Sequence, residues 1–412
     1  MSRGRIAAAH SHMYPVKRAG MRRVKCTKKN SDYLTETSVD TAYRKGLFKM
    51  HTLKLCPECQ VPEIFTSEHL WLDNGEVVQR NNQHNRVAFF ECENIGPLFS
   101  NLGELIGLSI EPIVIEIVQR GMRAYLSAFI PDMMRQRIKN GEMDLKTFDD
   151  AFRDLARPAG YGNYQFVDMR FKQDKDDYFT VSIQEPYSLP ICVASHAAAL
   201  EAILGFYHGV TYTEVSPGIH NITAFPSEHP KEFRGRLRAR KYNHIPGNVE
   251  LERCGTCGGP KALSDYKWYP DRGVVLNTVI GRRMAIMGGA LLDPLFEELE
   301  TELDESIGRN VVEAQRRFSK TGFYSIEEIG DEGNLRAQFA LRGLGNLQEI
   351  NMRRKGVHLR LDNSTLHLLV VGLVQGLYEL AFDVDSDVEW EFSENGDLDL
   401  EVTPQRIMVN LY

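Results

Sequence analysis

Two parts of this chain repeat each other, and this repetition is the feature that most constrains its fold. A Cys-x-x-Cys pair, Cys56 and Cys59, recurs as Cys254 and Cys257, 198 residues later. After the loss of one position, residues 71–120 match residues 268–317 without a gap, at a spacing of 197. The identical pairs include Trp71/Trp268, Val77/Val274, Arg86/Arg283, Pro97/Pro294, Leu102/Leu299, Glu116/Glu313 and Arg120/Arg317.

A second matching block extends the repeat towards the end of each copy. Residues 161–172 match residues 344–355 at a spacing of 183, so the first copy has 14 surplus residues between Met122 and Tyr161. Two copies of this length predict two similar, pseudo-symmetric domains, because solenoids repeat shorter units several times. The predicted organisation is a basic N-terminal arm (1–45), a first repeat (46–226) with a helical insertion at about 125–160, a basic linker (227–248), a second repeat (249–404) and a tail (405–412).

Composition narrows the class of protein. The chain has 412 residues, is 42% hydrophobic and 25% charged, and has room for two cores of ordinary size. Its net charge of −7 makes nucleic acid an unlikely main partner. We expect no membrane span, because no run of 18 apolar residues occurs. Seven cysteines, four of them in two Cys-x-x-Cys pairs, are typical of a cytoplasmic protein rather than of a secreted disulfide framework.

The order of predicted elements is the same in both copies. A strand at 53–55 or 249–251 leads into the cysteine pair, and a hairpin with a Gly-containing turn follows. A helical stretch comes next, at roughly 92–125 and 286–320, and the surplus residues of the first copy add a helix that carries Phe148 and Phe152. Alternating strands, an apolar helix and a two-stranded ribbon end each copy. This pattern predicts an α+β fold of two pseudo-symmetric repeats, each a helix-backed antiparallel sheet with a Cys-x-x-Cys hairpin.

The end of each copy, an apolar helix with small residues followed by a β-ribbon, resembles the 4-vinyl reductase domain family. The residues concerned are 194–205, 210–215 and 221–225 in the first copy, and 371–376, 388–392 and 398–402 in the second. The resemblance implies a small-molecule-binding domain, similar in fold to haem-NO-binding sensors and to a vesicle-tethering subunit. The family's ribbon often carries a cysteine pair, whereas this chain has residues 217–220 and 393–396 at that place. The Cys-x-x-Cys segments lie outside the resemblance.

The two cysteine pairs are the clearest site in the sequence. A structural zinc site takes four ligands, and each copy supplies only two cysteines. The simplest solution is one structural zinc held by the thiolates of Cys56, Cys59, Cys254 and Cys257 across the pseudo-twofold axis. The alternatives are two zinc sites that are each completed by a partner, a redox dithiol, and thiols without metal.

The first copy also carries a set of residues suited to a ligand pocket. Flexible methionines and aromatic rings beside a few polar groups make adaptable apolar sites. The candidates are Met134, Phe152, His196, Tyr207 and His208. We therefore predict a zinc-stabilised protein that binds a small apolar or aromatic molecule as a sensor, carrier or accessory subunit, with room for a protein partner. The alternatives are an enzyme on an aromatic or tetrapyrrole-like substrate, with His196, Tyr207 or His208 as proton donor, and a non-catalytic assembly scaffold.

Overall fold

The fold is taken from a computed structural model, which describes residues 53–228, 245–303, 305–324 and 331–405, without the side chains of 128, 129, 289–291 and 293. The predicted arm (1–45), most of the predicted linker (227–248) and nearly all of the tail (405–412) lie outside these residues. All residues that the structure describes belong to one compact unit. The strand pairing explains this, because a central sheet takes strands from both halves.

The described parts of the two halves share one order of elements, apart from an additional helix, Asp132–Lys139, in the first half. In the first half these are α1 (Glu63–Glu68), β1 (His69–Trp71), β2 (Val77–Gln79), β3 (Asn82–Glu91), α2 (Cys92–Ile106), α3 (Glu111–Phe129), α4 (Asp132–Lys139), α5 (Leu145–Ala156), β4 (Asn163–Arg170), β5 (Tyr178–Gln184), α6 (Leu189–Leu204), β6 (His208–Ser216) and β7 (Ile219–Pro226). In the second half a 3₁₀ turn (Lys261–Asp265) takes the place of α1. It is followed by β8 (Tyr266–Tyr269), β9 (Val274–Asn277), β10 (Arg282–Gly288), α7 (Gly289–Glu302), α8 (Ile307–Phe318), α9 (Glu332–Leu341), β11 (Asn346–Arg353), β12 (Gly356–Asp362), α10 (His367–Phe382), β13 (Ser386–Phe392) and β14 (Leu398–Pro404).

Three antiparallel sheets organise these elements, which confirms the predicted mixture of antiparallel sheets and helices. The central sheet has the strand order β1-β2-β3-β10-β9-β8. Its middle pair, β3 and β10, is in a register that places Phe89 opposite Ile286, with Ala88 opposite Met287 and Phe90 opposite Ala285. Phe89 and Ile286 are also equivalent in the sequence repeat, so this register is symmetric about their pairing. The two other sheets have the orders β4-β5-β7-β6 and β11-β12-β14-β13.

One long apolar helix contributes to the core of each half. Helix α6 is buried over most of its length, begins with a proline in its first turn and ends at Gly205, whose φ of 86° suits a glycine C-cap. Helix α10 is similarly buried, and a Cβ atom at its Gly372 would lie 2.4 Å from the Val312 carbonyl oxygen of α8. The small residues of these helices therefore allow close helix packing.

The hairpins contact the opposite half of the chain. Trp71 Nε1 donates a hydrogen bond to the carbonyl oxygen of Leu341 at 3.0 Å, and Trp268 Nε1 donates to that of Pro158, also at 3.0 Å. Backbone hydrogen bonds also join each half to the other, from Phe89 N to Arg342 O (2.8 Å) and from Ile286 N to Ala159 O (3.0 Å). Each hairpin thus packs against the segment that leads into the outer sheet of the other half.

Three predictions about local structure are wrong. Residues 53–55 and 249–251 form no strand, because this part of the chain makes only the isolated bridges Leu55–Pro62 and Arg253–Pro260. The stretch at 92–125 is broken at Gly107, which ends α2 with a φ of 73°. Helix α5, which carries Phe148 and Phe152, is also not peculiar to the first half, since α9 precedes β11 as α5 precedes β4.

Candidate metal centre and first-half cavity

The two Cys-x-x-Cys segments form the same tight turn. The Cys56 amide donates to Val61 O and the Cys254 amide donates to Gly259 O, both at 2.8 Å. After the second cysteine the chain takes a left-handed conformation, at Gln60 with φ 61° and at Gly258 with φ 73°. This bend folds the chain back after each cysteine pair.

The four sulfurs come together between the halves, which confirms that the two pairs share one location. Cys56 Sγ lies 3.7 Å from Cys254 Sγ, and Cys59 Sγ lies 3.5 Å from Cys257 Sγ. All four atoms lie within 4.8 Å of one another. A tetrahedral zinc–thiolate site, with zinc–sulfur distances of about 2.3 Å, has sulfur–sulfur edges of about 3.8 Å. The observed distances therefore suit coordination of a metal ion and exceed the roughly 2.0 Å of a disulfide.

The surroundings of the sulfurs shift the thiol pKa values in both directions, since burial raises the pKa of Cys59. A backbone hydrogen bond from Cys59 is the largest cause that lowers the pKa of Cys56, to about 7. The Glu58 carboxylate reaches across to the other turn, where it accepts hydrogen bonds from the Thr256 hydroxyl at 2.8 Å and the Thr256 amide at 3.0 Å. Cys56, Cys59 and Cys254 are buried and Cys257 is half-buried.

An aromatic cluster supports the cysteine turns. The ring of Phe65 lies 5.8 Å from the rings of Trp71 and Phe89 and 5.7 Å from that of Trp268, measured between centroids. These residues share one buried cluster with Cys56, Cys59 and Cys254. The four-cysteine site therefore rests on a core to which both halves contribute.

A cavity of about 60 Å³ lies in the first half between α5, α6 and the start of the outer sheet. Its walls are mainly apolar and aromatic, and its polar residues include Asp149, Arg153, Ser195 and His196. The other residues that line it are Met122, Leu145, Phe148, Phe152, Ala156, Tyr161, Tyr164, Phe179, Tyr187, Ala199, Leu200 and Ile203. Such a composition is common in sites for small molecules.

Two titratable groups in the cavity wall have shifted pKa values. Burial lowers the pKa of His196 to about 4, although its hydrogen bond with the Phe179 carbonyl oxygen acts in the opposite direction. Because a carbonyl oxygen only accepts, His196 Nε2 donates this bond, at 3.1 Å. Burial raises the pKa of Asp149 to about 6, against the attraction of Arg153 and Lys146.

The structure brings together only part of the predicted ligand set. Phe152 and His196 line the cavity, whereas Met134 packs against the hydrophobic core elsewhere. Tyr207 donates its hydroxyl hydrogen to Glu116 Oε2 at 2.8 Å, and the His208 ring stacks on Phe206 with 4.7 Å between centroids. The three proposed proton donors therefore do not converge on one cavity.

The sequence analysis missed a polar and charged network between the two halves. A smaller cavity of about 20 Å³ is lined by Glu91, Asn94, Gln315, Tyr324 and Arg342 together with apolar side chains. Arg342 Nη2 donates to Glu91 Oε2 at 2.8 Å, and Asn94 Nδ2 donates to Gln315 Oε1 at 2.9 Å. No local motif reveals this network, because its members are widely separated in sequence.

No protein-family model and no curated protein matches this chain. Among the helices that the structure describes, none is long and apolar enough to cross a membrane.

Proposed function

We propose that this chain is a zinc-stabilised protein that binds a small apolar or aromatic molecule in its first half. The observation that carries the proposal is the cavity between α5 and α6, where aromatic walls surround a few polar groups. The smaller cavity, which residues of both halves line, is a third as large, and an ion pair between Glu91 and Arg342 lies in its wall. Ligand binding is thus assigned to the first half, and scaffolding to the second.

The metal is assigned as one structural zinc per chain. Four cysteine sulfurs with tetrahedral spacing are a preferred donor set for this ion. Cys56 and Cys59 would hold it from the first half, and Cys254 and Cys257 from the second. Four thiolates leave no open position for a substrate, so the ion contributes folding free energy rather than catalysis.

We further infer that the two halves arose by tandem duplication of one ancestral domain. The matching order of elements, the symmetric β3–β10 register and the reciprocal tryptophan hydrogen bonds support this inference. The resemblance to the 4-vinyl reductase family remains a proposal for the end of each half. It is supported by the order of an apolar helix and a ribbon, α6 with β6–β7 and α10 with β13–β14.

Metal analysis of the purified protein tests the zinc assignment. We expect about one zinc per chain, and loss of zinc in both Cys56→Ser and Cys254→Ser. Cys192→Ala is the matched control, because Cys192 is equally buried but is not part of the four-sulfur group. Protein that is fully folded without metal would refute the assignment.

Xenon and benzene, two apolar probes, test the cavity. Xenon should shift the ¹³C-methyl signal of Met122, which lines the cavity, because xenon enters apolar cavities. Benzene binds a cavity of about 150 Å³, so it should bind only after Phe152→Ala enlarges this one. Leu335→Ala, the equivalent change on α9, is the control and should leave Met122 insensitive to benzene. A Met122 signal that xenon does not shift would contradict the proposed binding site.

A further inference from the structure

The carboxylate of Asp149 is the least satisfied polar group in the cavity wall. Its side chain is 16% exposed and lines the cavity. Oδ2 is buried and accepts no hydrogen bond from any residue that the structure describes. Burying a carboxylate oxygen without a hydrogen-bond partner costs free energy, so the site favours a ligand that supplies a hydrogen-bond donor or a positive charge.

The cations near Asp149 do not neutralise it fully. Arg153 Nη2 lies 3.9 Å from Oδ2, which is too far for a hydrogen bond, and the same guanidinium is in close contact with Asp150. Lys146 Nζ lies 4.9 Å from the centroid of the Phe166 ring. Both cations thus have other interactions, and the charge of Asp149 is available to a ligand.

The rest of the wall suits an organic cation. Six aromatic rings line the cavity, and the faces of aromatic rings attract ammonium groups. The Tyr161 hydroxyl is directed away, since it donates to the carbonyl oxygen of Ile286 at 2.5 Å. His196 donates from Nε2 to the Phe179 carbonyl oxygen and is neutral, so it adds no positive charge to the wall.

We propose that the cavity binds the ammonium group of a small organic amine, with Asp149 as its counter-ion. This inference rests on the proposed function of the cavity and narrows its ligand class. An ammonium group brings a positive charge to the Asp149 carboxylate and presents the same charge to the surrounding rings. A neutral apolar guest leaves the carboxylate without a partner, and an anion is repelled by it. The volume of about 60 Å³ suits a short alkylammonium group.

Propylammonium and 1-propanol are matched probes, because they have similar size and shape and differ in charge. Binding is measured in the full-length protein at pH 7 by the ¹³C-methyl shift of Met122 as the probe is titrated. We expect propylammonium to bind at least about tenfold more tightly than 1-propanol, in line with a charge-assisted hydrogen bond. In Asp149→Asn, which keeps the side-chain shape, this preference should disappear. Glu332→Gln changes the equivalent position on α9 and should preserve it.

Xenon separates failure of this inference from failure of the proposed function. Equal affinity for the two probes, or tighter binding of 1-propanol, overturns the amine assignment but leaves a cavity that binds small molecules. If xenon shifts the Met122 signal but neither propyl probe does, the amine assignment is likewise overturned and the small-molecule cavity is retained. A Met122 signal that no probe shifts overturns both proposals. If Asp149→Asn still responds to xenon, its cavity is intact and loss of the amine preference reports the charge alone.

Discussion

The contact between Gly273 and Gly162 provides a sharp test of how the two halves pack. Gly273 ends the turn between β8 and β9 with φ 61°, and a Cβ atom there would lie 2.0 Å from Gly162 O and 2.3 Å from Gly162 C. Both neighbours are backbone atoms, which cannot move aside like a flexible side chain. Gly273→Ala must therefore push the second-half hairpin away from the first half.

The cost of this displacement follows from the bonds at the contact. Alanine in a left-handed conformation costs about 1–2 kcal/mol by itself. The displaced segment also carries hydrogen bonds from Gly162 N to Gly273 O (2.9 Å), from Ile286 N to Ala159 O (3.0 Å) and from Trp268 Nε1 to Pro158 O (3.0 Å). At about 1 kcal/mol each, their loss adds about 3 kcal/mol.

Gly281→Ala is the matched control. Gly281 has φ 68°, but a Cβ atom there would meet no atom within 4 Å in the described part of the chain. Urea denaturation, followed by tryptophan fluorescence, gives the free energy of unfolding of both variants. We expect Gly273→Ala to be about 3 kcal/mol less stable than Gly281→Ala. Equal stability of the two variants would show that the hairpin does not pack as the structure indicates.

Three further predictions concern the metal, the cavity and the tryptophans. A chelator should lower the free energy of unfolding of the native protein by several kcal/mol but should not change that of Cys254→Ser, as urea denaturation with and without chelator will show. Burial lowers the pKa of His196 to about 4 in the folded protein, whereas an exposed histidine has a pKa of about 6.5. Below pH 6.5 the unfolded chain therefore binds an additional proton, and the free energy of unfolding falls by up to about 3 kcal/mol between pH 6.5 and pH 4. Asp149, whose pKa is raised to about 6, acts in the opposite direction, so urea titrations across this range should show a steeper acid loss in Asp149→Asn and a shallower one in His196→Gln. Trp71→Phe and Trp268→Phe should each cost about 1 kcal/mol in the same assay, because each loses one equivalent hydrogen bond.

Features with a short sequence signature were predictable. The Cys-x-x-Cys turns depend on a few neighbouring residues. In the second turn Gly258 indicates the left-handed conformation, because glycine favours it, whereas Gln60 at the same place in the first turn does not. The predicted apolar helix of the first half is observed at Leu189–Leu204, and Gly205 ends it. The break after α2 also had a signal that the helix prediction overlooked, since Gly107 precedes Pro112 in the first turn of α3.

Features that depend on distant contacts were not predictable from the pattern. Glu201 and His208 show this, because the histidine was interpreted as a ligand-binding residue. In the structure the His208 amide donates to Glu201 Oε1 at 2.8 Å, and in the second half the Ser386 amide donates to Glu379 Oε1 at 2.9 Å. In both halves a buried glutamate thus accepts a hydrogen bond from the backbone amide of the first residue of the ribbon. Because the amide makes this bond, the residue can be histidine in one half and serine in the other.

Hydrogen bonds and buried contacts connect the four-cysteine site to the first-half cavity. The segment before β4 supplies Tyr161 to the cavity wall, and the Tyr161 hydroxyl and the Ala159 carbonyl group both bond to Ile286 of β10. Ile286 packs in the same buried cluster as Cys56, Cys59 and Cys254. The wall of the first-half cavity is therefore positioned by a strand of the second half, and that strand rests on the core beneath the four sulfurs. Because each half supplies two of these sulfurs, binding of the proposed zinc would require both halves to be folded and would hold in place the contact on which the shape of the cavity depends.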